Sequence, residues 1–140
     1  MDKTTEKRLL DAAIEAMHRA YAPYSHFHVG AALLDADGRI WQGCNIENAS
    51  YPATICAERS AISAAVSAGV RKFSAIAIVG GPNGEIGDIC TPCGICRQVL
   101  CEFCPPDFPV YLGHSQGHTV LALRELLPYA FSLLETEVTS

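Results

Sequence analysis

Residues 74–81, SAIAIVGG, form a short apolar run bounded by turn-forming residues. A run of this kind marks a strand buried on both faces, which requires helices on both sides of its sheet. The neighbouring segments supply them. Upstream, PATICAERSAISAAVSAG reads as a helix ending at Gly69, and Ala57, Ala61, Ala64, Ala65 and Ala68 permit close packing on a sheet. Downstream, CGICRQVLCEF (93–103) reads as a further helix and FPVYL (108–112) as a strand. LALRELL (121–127) reads as a short helix closed by Pro128.

The first quarter of the chain adds a helix and a hairpin. Leu9, Leu10, Ala13, Met17 and Ala20 recur at helical spacing over residues 4–20, and YAPYS breaks that helix at Pro23. FHVGAALL (27–34) and RIWQGCNI (39–46) flank the turn signal DADG (35–38), as paired hairpin strands do. Two strand–helix–strand units follow, expected as right-handed crossovers between parallel strands. The expected fold is α/β: a three-layer α-β-α sandwich around a mixed sheet of about five strands, in a single domain over residues 1–140. Ligands in such sheets sit beyond the carboxyl ends of the strands, and CTPCGIC (90–96) follows one such end.

Charge and hydropathy narrow the function. The net charge is −5 with no block of Lys or Arg, which disfavours a nucleic-acid partner, since phosphate neutralisation needs clustered cations. A small neutral substrate suits this balance. No uncharged apolar run is long enough to span a membrane, and MDKTTEKRLL lacks the apolar core of a signal peptide, so a cytoplasmic location is expected. Seven cysteines, an odd number, point in a reducing compartment to metal binding or catalysis.

Cys90, Cys93 and Cys96 are evenly spaced, but Thr91-Pro92 separates them. Thr suits an N-cap and Pro the first helical position, which puts Cys93 and Cys96 on one face of the first turns and leaves Cys90 on extended chain. A thiol at a helix N-terminus has a lowered pKa and readily becomes the thiolate that binds metal. Cys56, near the start of the preceding helix, is the best third ligand. Three protein ligands leave zinc a position for water, and Glu58 stands two residues on to handle protons. On a regular helix those two residues would face apart, so Glu58 reaches the metal only if Cys56 lies at the helix edge. Three thiolates around Zn²⁺ also sum to a negative charge, which two helix N-termini and Arg59 would offset.

CAER (56–59) with PCGICRQ (92–98) resembles the cytidine deaminase family. YAPYSHFHVGAAL (21–33), GCNIENASY (43–51) and ELLPYAF (125–131) resemble its small homotetrameric type, and the likeness spans nearly the whole chain. The resemblance implies that Cys56, Cys93 and Cys96 bind one zinc per chain and that Glu58 shuttles protons beside the zinc-activated water. It implies that Asn45 and Glu47 hold the sugar hydroxyls, that Phe27 packs against the pyrimidine, and that Ala57 also contacts substrate. Arg59 and Gln98 would support the metal shell, and Tyr51 and Phe131 would reach across subunits of a homotetramer. The implied reaction is deamination of cytidine and deoxycytidine in pyrimidine salvage.

Plainer readings exist for each residue. The three cysteines could be buried inert thiols, Phe27 a core residue, and Asn45 and Glu47 parts of a turn. Cys44, Cys101 and Cys104 read as packing residues, and the five histidines carry no pattern, His114 and His118 lying in a Gly-rich turn. Three rival functions remain open from sequence. They are a blasticidin deaminase on the same scaffold, a structural zinc closed by Cys56, Cys90, Cys93 and Cys96, and an iron–sulfur site echoing the ferredoxin run.

Overall fold

The computed structural model describes residues 1–134. The element order is α1 (Lys3–Met17), β1 (Phe27–Asp35), β2 (Ile40–Cys44), α2 (Ala57–Ser67), β3 (Phe73–Pro82), α3 (Gly94–Phe103), β4 (Pro109–His114), β5 (Gly117–Ala122) and α4 (Leu123–Leu126). One five-stranded sheet has the order β2-β1-β3-β4-β5. β1 runs antiparallel to both β2 and β3, β3 and β4 are parallel, and β5 returns antiparallel on β4. Both crossovers therefore link parallel strands, but the first, through α2, steps over β1.

Two cores flank the sheet, giving the expected three layers. On one face α1 packs through Leu9, Ala13 and Met17 against Ala32, Ala75, Ala77 and Val79. On the other, α2 and α3 contribute Ala57, Ala61, Ala65 and Leu100 against Ala31, Leu33, Ile76, Ile78 and Leu112. β3 feeds both cores alternately, which is why its sequence is apolar throughout. The helices sit unusually close to the sheet at two glycines. A Cβ on Gly30 would lie 2.0 Å from the Ala13 carbonyl oxygen, and one on Gly43 would lie 2.3 Å from the Ala61 nitrogen. Gly43 thus lets the start of α2 rest directly on β2, and this fixes the height of Cys56 above the sheet.

The hairpin turn is organised by Asp35, a carboxylate only 2% exposed. Its Oδ1 accepts from Asp37 N and Arg39 N, and its Oδ2 from Arg39 Nε and Trp41 Nε1, all at 2.8–3.0 Å.

The structure corrects four boundaries. α1 stops at Met17 rather than at residue 20, with Asp2 as its N-cap. The segment before α2 is not α-helical: a short 3-10 helix spans Tyr51–Ala53, and α2 begins only at Ala57. α3 begins at Gly94 with Cys93 as its N-cap, so Thr91 and Pro92 precede the helix instead of opening it. Finally, GHTVLA is strand β5, so His118 stands in a strand and His114 ends β4, and of residues 121–127 only Leu123–Leu126 is helical. The edge strand escapes a helical-spacing reading because its side chains are mostly half-exposed or exposed, Val120 among them. Among the described residues, no helix is long and apolar enough to cross a membrane.

Candidate metal centre and catalytic cavity

The site is assembled at two helix starts. Cys56 is the N-cap of α2, with extended backbone (φ −77°, ψ 156°), and Cys93 is the N-cap of α3 (φ −68°, ψ 169°). The Cys56 carbonyl accepts from Ser60 N at 3.0 Å, and the Cys93 carbonyl from Arg97 N at 2.9 Å. Both ligand candidates therefore sit where the helix dipole favours an anion. Cys96, in the first turn of α3, is fully buried behind them. The sulfurs of Cys56, Cys93 and Cys96 all lie within 4.8 Å of one another.

This arrangement fits zinc. The Cys56 and Cys93 sulfurs are 3.7 Å apart. With zinc–sulfur bonds of about 2.3 Å, a tetrahedral edge is about 3.8 Å. Cys56, Cys93 and Cys96 are free thiols. In the trio the Cys96 thiol donates toward Cys56, which with Arg59 draws the Cys56 pKa down to about 5 and pushes that of Cys96 up. A site that already holds one thiolate is ready to release its remaining protons to a cation. Arg59 Nη2 lies 3.8 Å from the Cys56 sulfur and 3.4 Å from the Thr54 carbonyl oxygen. Among the described residues its Nε is buried without a hydrogen-bond partner, on the same side chain that faces the sulfur cluster.

Glu58 is 4% exposed on the first turn of α2. Because Cys56 is a cap and not a helical residue, the regular-helix objection to Glu58 facing the metal falls away. Burial first, and the Cys56 charge second, push its carboxyl up to about 7. A carboxyl poised there can both take and give a proton near neutrality.

Cys56, Cys93 and Glu58 open onto one cavity of about 190 Å³. Of the residues expected from sequence, it gathers Asn45, Glu47, Cys56, Ala57, Glu58 and Cys93. An adjoining cavity shares Glu47 and Thr54 and adds Tyr24, Ser25, Asn48 and Tyr51. The 45–47 segment is held rigidly. Ile46 exchanges two backbone hydrogen bonds with Ile55, Tyr21 N donates to the Asn45 carbonyl, and Glu47 N to the Tyr21 carbonyl, all at 2.9–3.0 Å. Asn45 brackets the start of β1, donating from Nδ2 to the Phe27 carbonyl and accepting from Val29 N, both at 2.9 Å.

Other expected residues lie apart from this cavity. Gln98 donates to the Phe131 carbonyl at 3.0 Å. Tyr51 (81% exposed) and Phe131 (69%) turn largely to solvent within the single chain, and Phe27 (36%) is partly exposed. Cys44 is half-buried at the end of β2, and Cys101 and Cys104 close α3, Cys104 within the core. A larger cavity of about 350 Å³ lies beside those two cysteines, but it gathers no comparable set of acids and thiols.

Five lining residues were missed from sequence as site residues: Val29, Thr54, Ile55, Cys90 and Thr91. Cys90 stays outside the sulfur trio, yet it lines the cavity beside Glu58 and Cys93. Its thiol is pushed up to about 11, by burial and then by the Glu58 and Cys56 charges, so it is a neutral wall. It rests on Gly80, where a Cβ would come within 3.0 Å of its sulfur. The glycine pair ending SAIAIVGG was the available signal.

Comparison with known proteins decides the family. The family model for the cytidine and deoxycytidylate deaminase zinc-binding region matches residues 3–112. This chain belongs to that family. It is 50% identical over 127 residues to a cytidine deaminase of Sporosarcina psychrophila, covering 90% of each chain. A crystal structure of cytidine deaminase from Burkholderia pseudomallei superposes with a TM-score of 0.83 at 46% identity, covering 94% of this chain and all of that one. A blasticidin-S deaminase of Bacillus cereus is more distant, at 33% identity over 129 residues, 89% of this chain and 90% of that one. The chain is thus an enzyme of the cytidine deaminase type with zinc as its cofactor, and Cys56, Cys93 and Cys96 form the cluster that could hold it.

Proposed function

We propose that this enzyme deaminates cytidine and deoxycytidine to uridine and deoxyuridine, releasing ammonia, in cytoplasmic pyrimidine salvage. The observation that carries the reading is the buried Glu58 carboxyl in the same cavity as Cys56 and Cys93. Cys56, Cys93 and Cys96 would hold zinc, which when bound supplies the Lewis acidity that brings a water's pKa near neutrality. The two helix N-termini and Arg59 offset the negative charge of three thiolates and so preserve that acidity.

The proton work falls to Glu58. Its carboxylate takes a proton from the attacking water and delivers it to ring nitrogen 3, while the water oxygen bonds to ring carbon 4. It then passes the remaining hydroxyl proton to the 4-amino group. The carbon–nitrogen bond breaks, ammonia leaves, and a carbonyl remains on the ring. A carboxyl near 7 serves both directions of transfer. The neutral Cys90, with Val29 and Ala57, keeps the cavity wall apolar, and Asn45 and Glu47 would meet the sugar.

The exposed aromatics support a shared site. Tyr51 and Phe131 are too solvent-exposed for core residues, and Tyr129 and Ile95 (62% exposed) add further exposed apolar surface. In a homotetramer these surfaces would be covered, and a neighbour's Tyr51 and Phe131 would complete each cavity. The lower similarity to the blasticidin-S deaminase supports reading the nucleosides as substrates ahead of blasticidin S.

The deciding experiment measures ammonia release from cytidine, deoxycytidine and blasticidin S, with zinc per chain determined on the same sample. One zinc and rapid release from both nucleosides is expected. One zinc without release from either would overturn the catalytic reading and favour a structural metal.

A further inference from the structure

Glu47 is held by its own chain more tightly than a simple ligand-binding carboxylate needs to be. Its Oε1 accepts from Tyr24 N at 2.9 Å and from Ser25 N at 3.1 Å, and its Oε2 accepts from the Ser25 hydroxyl. The Ser25 oxygen also accepts from Phe27 N at 3.0 Å, so the hydroxyl has one direction left in which to donate. Between Ser25 and Phe27, His26 adopts a left-handed backbone with φ 59°, unusual for a residue with a side chain. It is pinned there by His26 N to the Ala22 carbonyl at 3.0 Å and by Asn83 N to the His26 carbonyl at 2.7 Å. A conformation that costs on the order of 1 kcal/mol is thus enforced from both sides, and it aims Ser25 at Glu47.

The acceptor count gives this clamp a purpose. An ionised carboxylate offers about four acceptor sites. Ser25 and Tyr24 fill both on Oε1 and one on Oε2, leaving a single acceptor, which points from a fixed oxygen. Without the Ser25 hydroxyl the carboxylate would pivot about Oε1 on its two backbone donors.

We propose that Ser25 is a positioning residue for sugar recognition: its hydroxyl fixes Glu47 Oε2 so that this oxygen accepts one ribose hydroxyl. The inference rests on the reading of the cavity as a nucleoside site. Ser25 is exposed, so its replacement is expected to leave the fold intact.

The test compares the wild type with Ser25→Ala and Ser25→Thr, using cytidine and dideoxycytidine, which lacks both ring-diol hydroxyls. For Ser25→Ala, KM for cytidine should rise about tenfold with kcat changed by less than about twofold, as expected when ground-state and transition-state binding are lost equally. Its kcat/KM for dideoxycytidine should match the wild type, its zinc content should be unchanged, and Ser25→Thr should recover most of the cytidine affinity. An equal loss on both substrates, or no recovery with threonine, would overturn the positioning role. A wild type that handles cytidine and dideoxycytidine alike would show instead that Glu47 holds no sugar hydroxyl, and a wild type inactive on cytidine would sink the nucleoside reading itself.

Discussion

Cys56 and Cys93 are the N-caps of two different helices, and their sulfurs stand 3.7 Å apart. Each lies at the point where its chain turns from extended to helical, so each sulfur projects beyond its helix end rather than along its flank. Cys96 completes the cluster from within α3, while Cys90 faces the cavity from outside it. Zinc content should follow this division. Cys56→Ala, Cys93→Ala and Cys96→Ala should each purify with well under one zinc per chain, and Cys90→Ala should retain a full complement. Metal analysis of the four proteins checks this, and zinc loss from Cys90→Ala would put that sulfur among the ligands.

Glu58→Gln separates metal binding from proton transfer. Glutamine keeps the shape of the buried side chain but cannot accept and return a proton. Zinc content should remain at one per chain, and kcat for cytidine should fall by about 10²–10⁴, the usual contribution of a general acid–base. Steady-state kinetics and metal analysis on one preparation decide it. Turnover near the wild-type rate would assign the proton shuttle elsewhere.

Much of this was readable in the sequence, and the failures have physical causes. The apolar run of β3, the DADG hairpin and the alanine face of α2 gave the layers, because burial pattern alone dictates them. Ala57, Ala61 and Ala65 are buried as expected, whereas Ala64 and Ala68 face outward. The Thr91-Pro92 cap rule failed by two residues. The Pro92 carbonyl is taken by Arg97 Nε at 2.7 Å and the Cys93 carbonyl by Arg97 N, so the helix opens after Cys93. That shift is a tertiary choice, since Arg97 also donates to the Leu126 carbonyl at 2.6 Å. Cys90 was hard to read as a cavity wall because its place depends on the missing side chain of Gly80, which only the glycine pair ending SAIAIVGG signals. Ser25 was unreadable because nothing local says which carboxylate a loop serine will meet.

Phe131 tests the assembly. Gln98 fixes its backbone by a 3.0 Å hydrogen bond, while its ring is 69% exposed. An anchored but uncovered aromatic is suited to entering a neighbour's cavity. Phe131→Ala should raise KM for cytidine by about tenfold, the order expected for losing a buried aromatic contact, and leave zinc unchanged. Kinetics combined with sedimentation checks this, and a fully active monomer would contradict the shared site.

Asp35 governs how the fold responds to acid. Burial pushes its carboxyl up, but donation from Trp41 Nε1 and from the Arg39 and Asp37 amides, with the Arg39 charge, outweighs this and leaves it below its ordinary value. Its ionised form is therefore favoured in the folded chain. The resulting stability is fully present above the unfolded carboxyl pKa of about 3.9 and is lost as pH falls through the lower folded value. Asp35→Asn removes the charge and turns an NH₂ group toward one set of donors, which should cost about 2 kcal/mol at neutral pH. Urea unfolding of both proteins at neutral pH and at progressively lower pH gives the comparison, and the stability difference cancels zinc release and other titrations common to both. The gap should narrow as the wild-type carboxylate protonates below about pH 4. A gap that stays constant across that range would mean that the charge on Asp35 contributes nothing and that only its shape holds the hairpin.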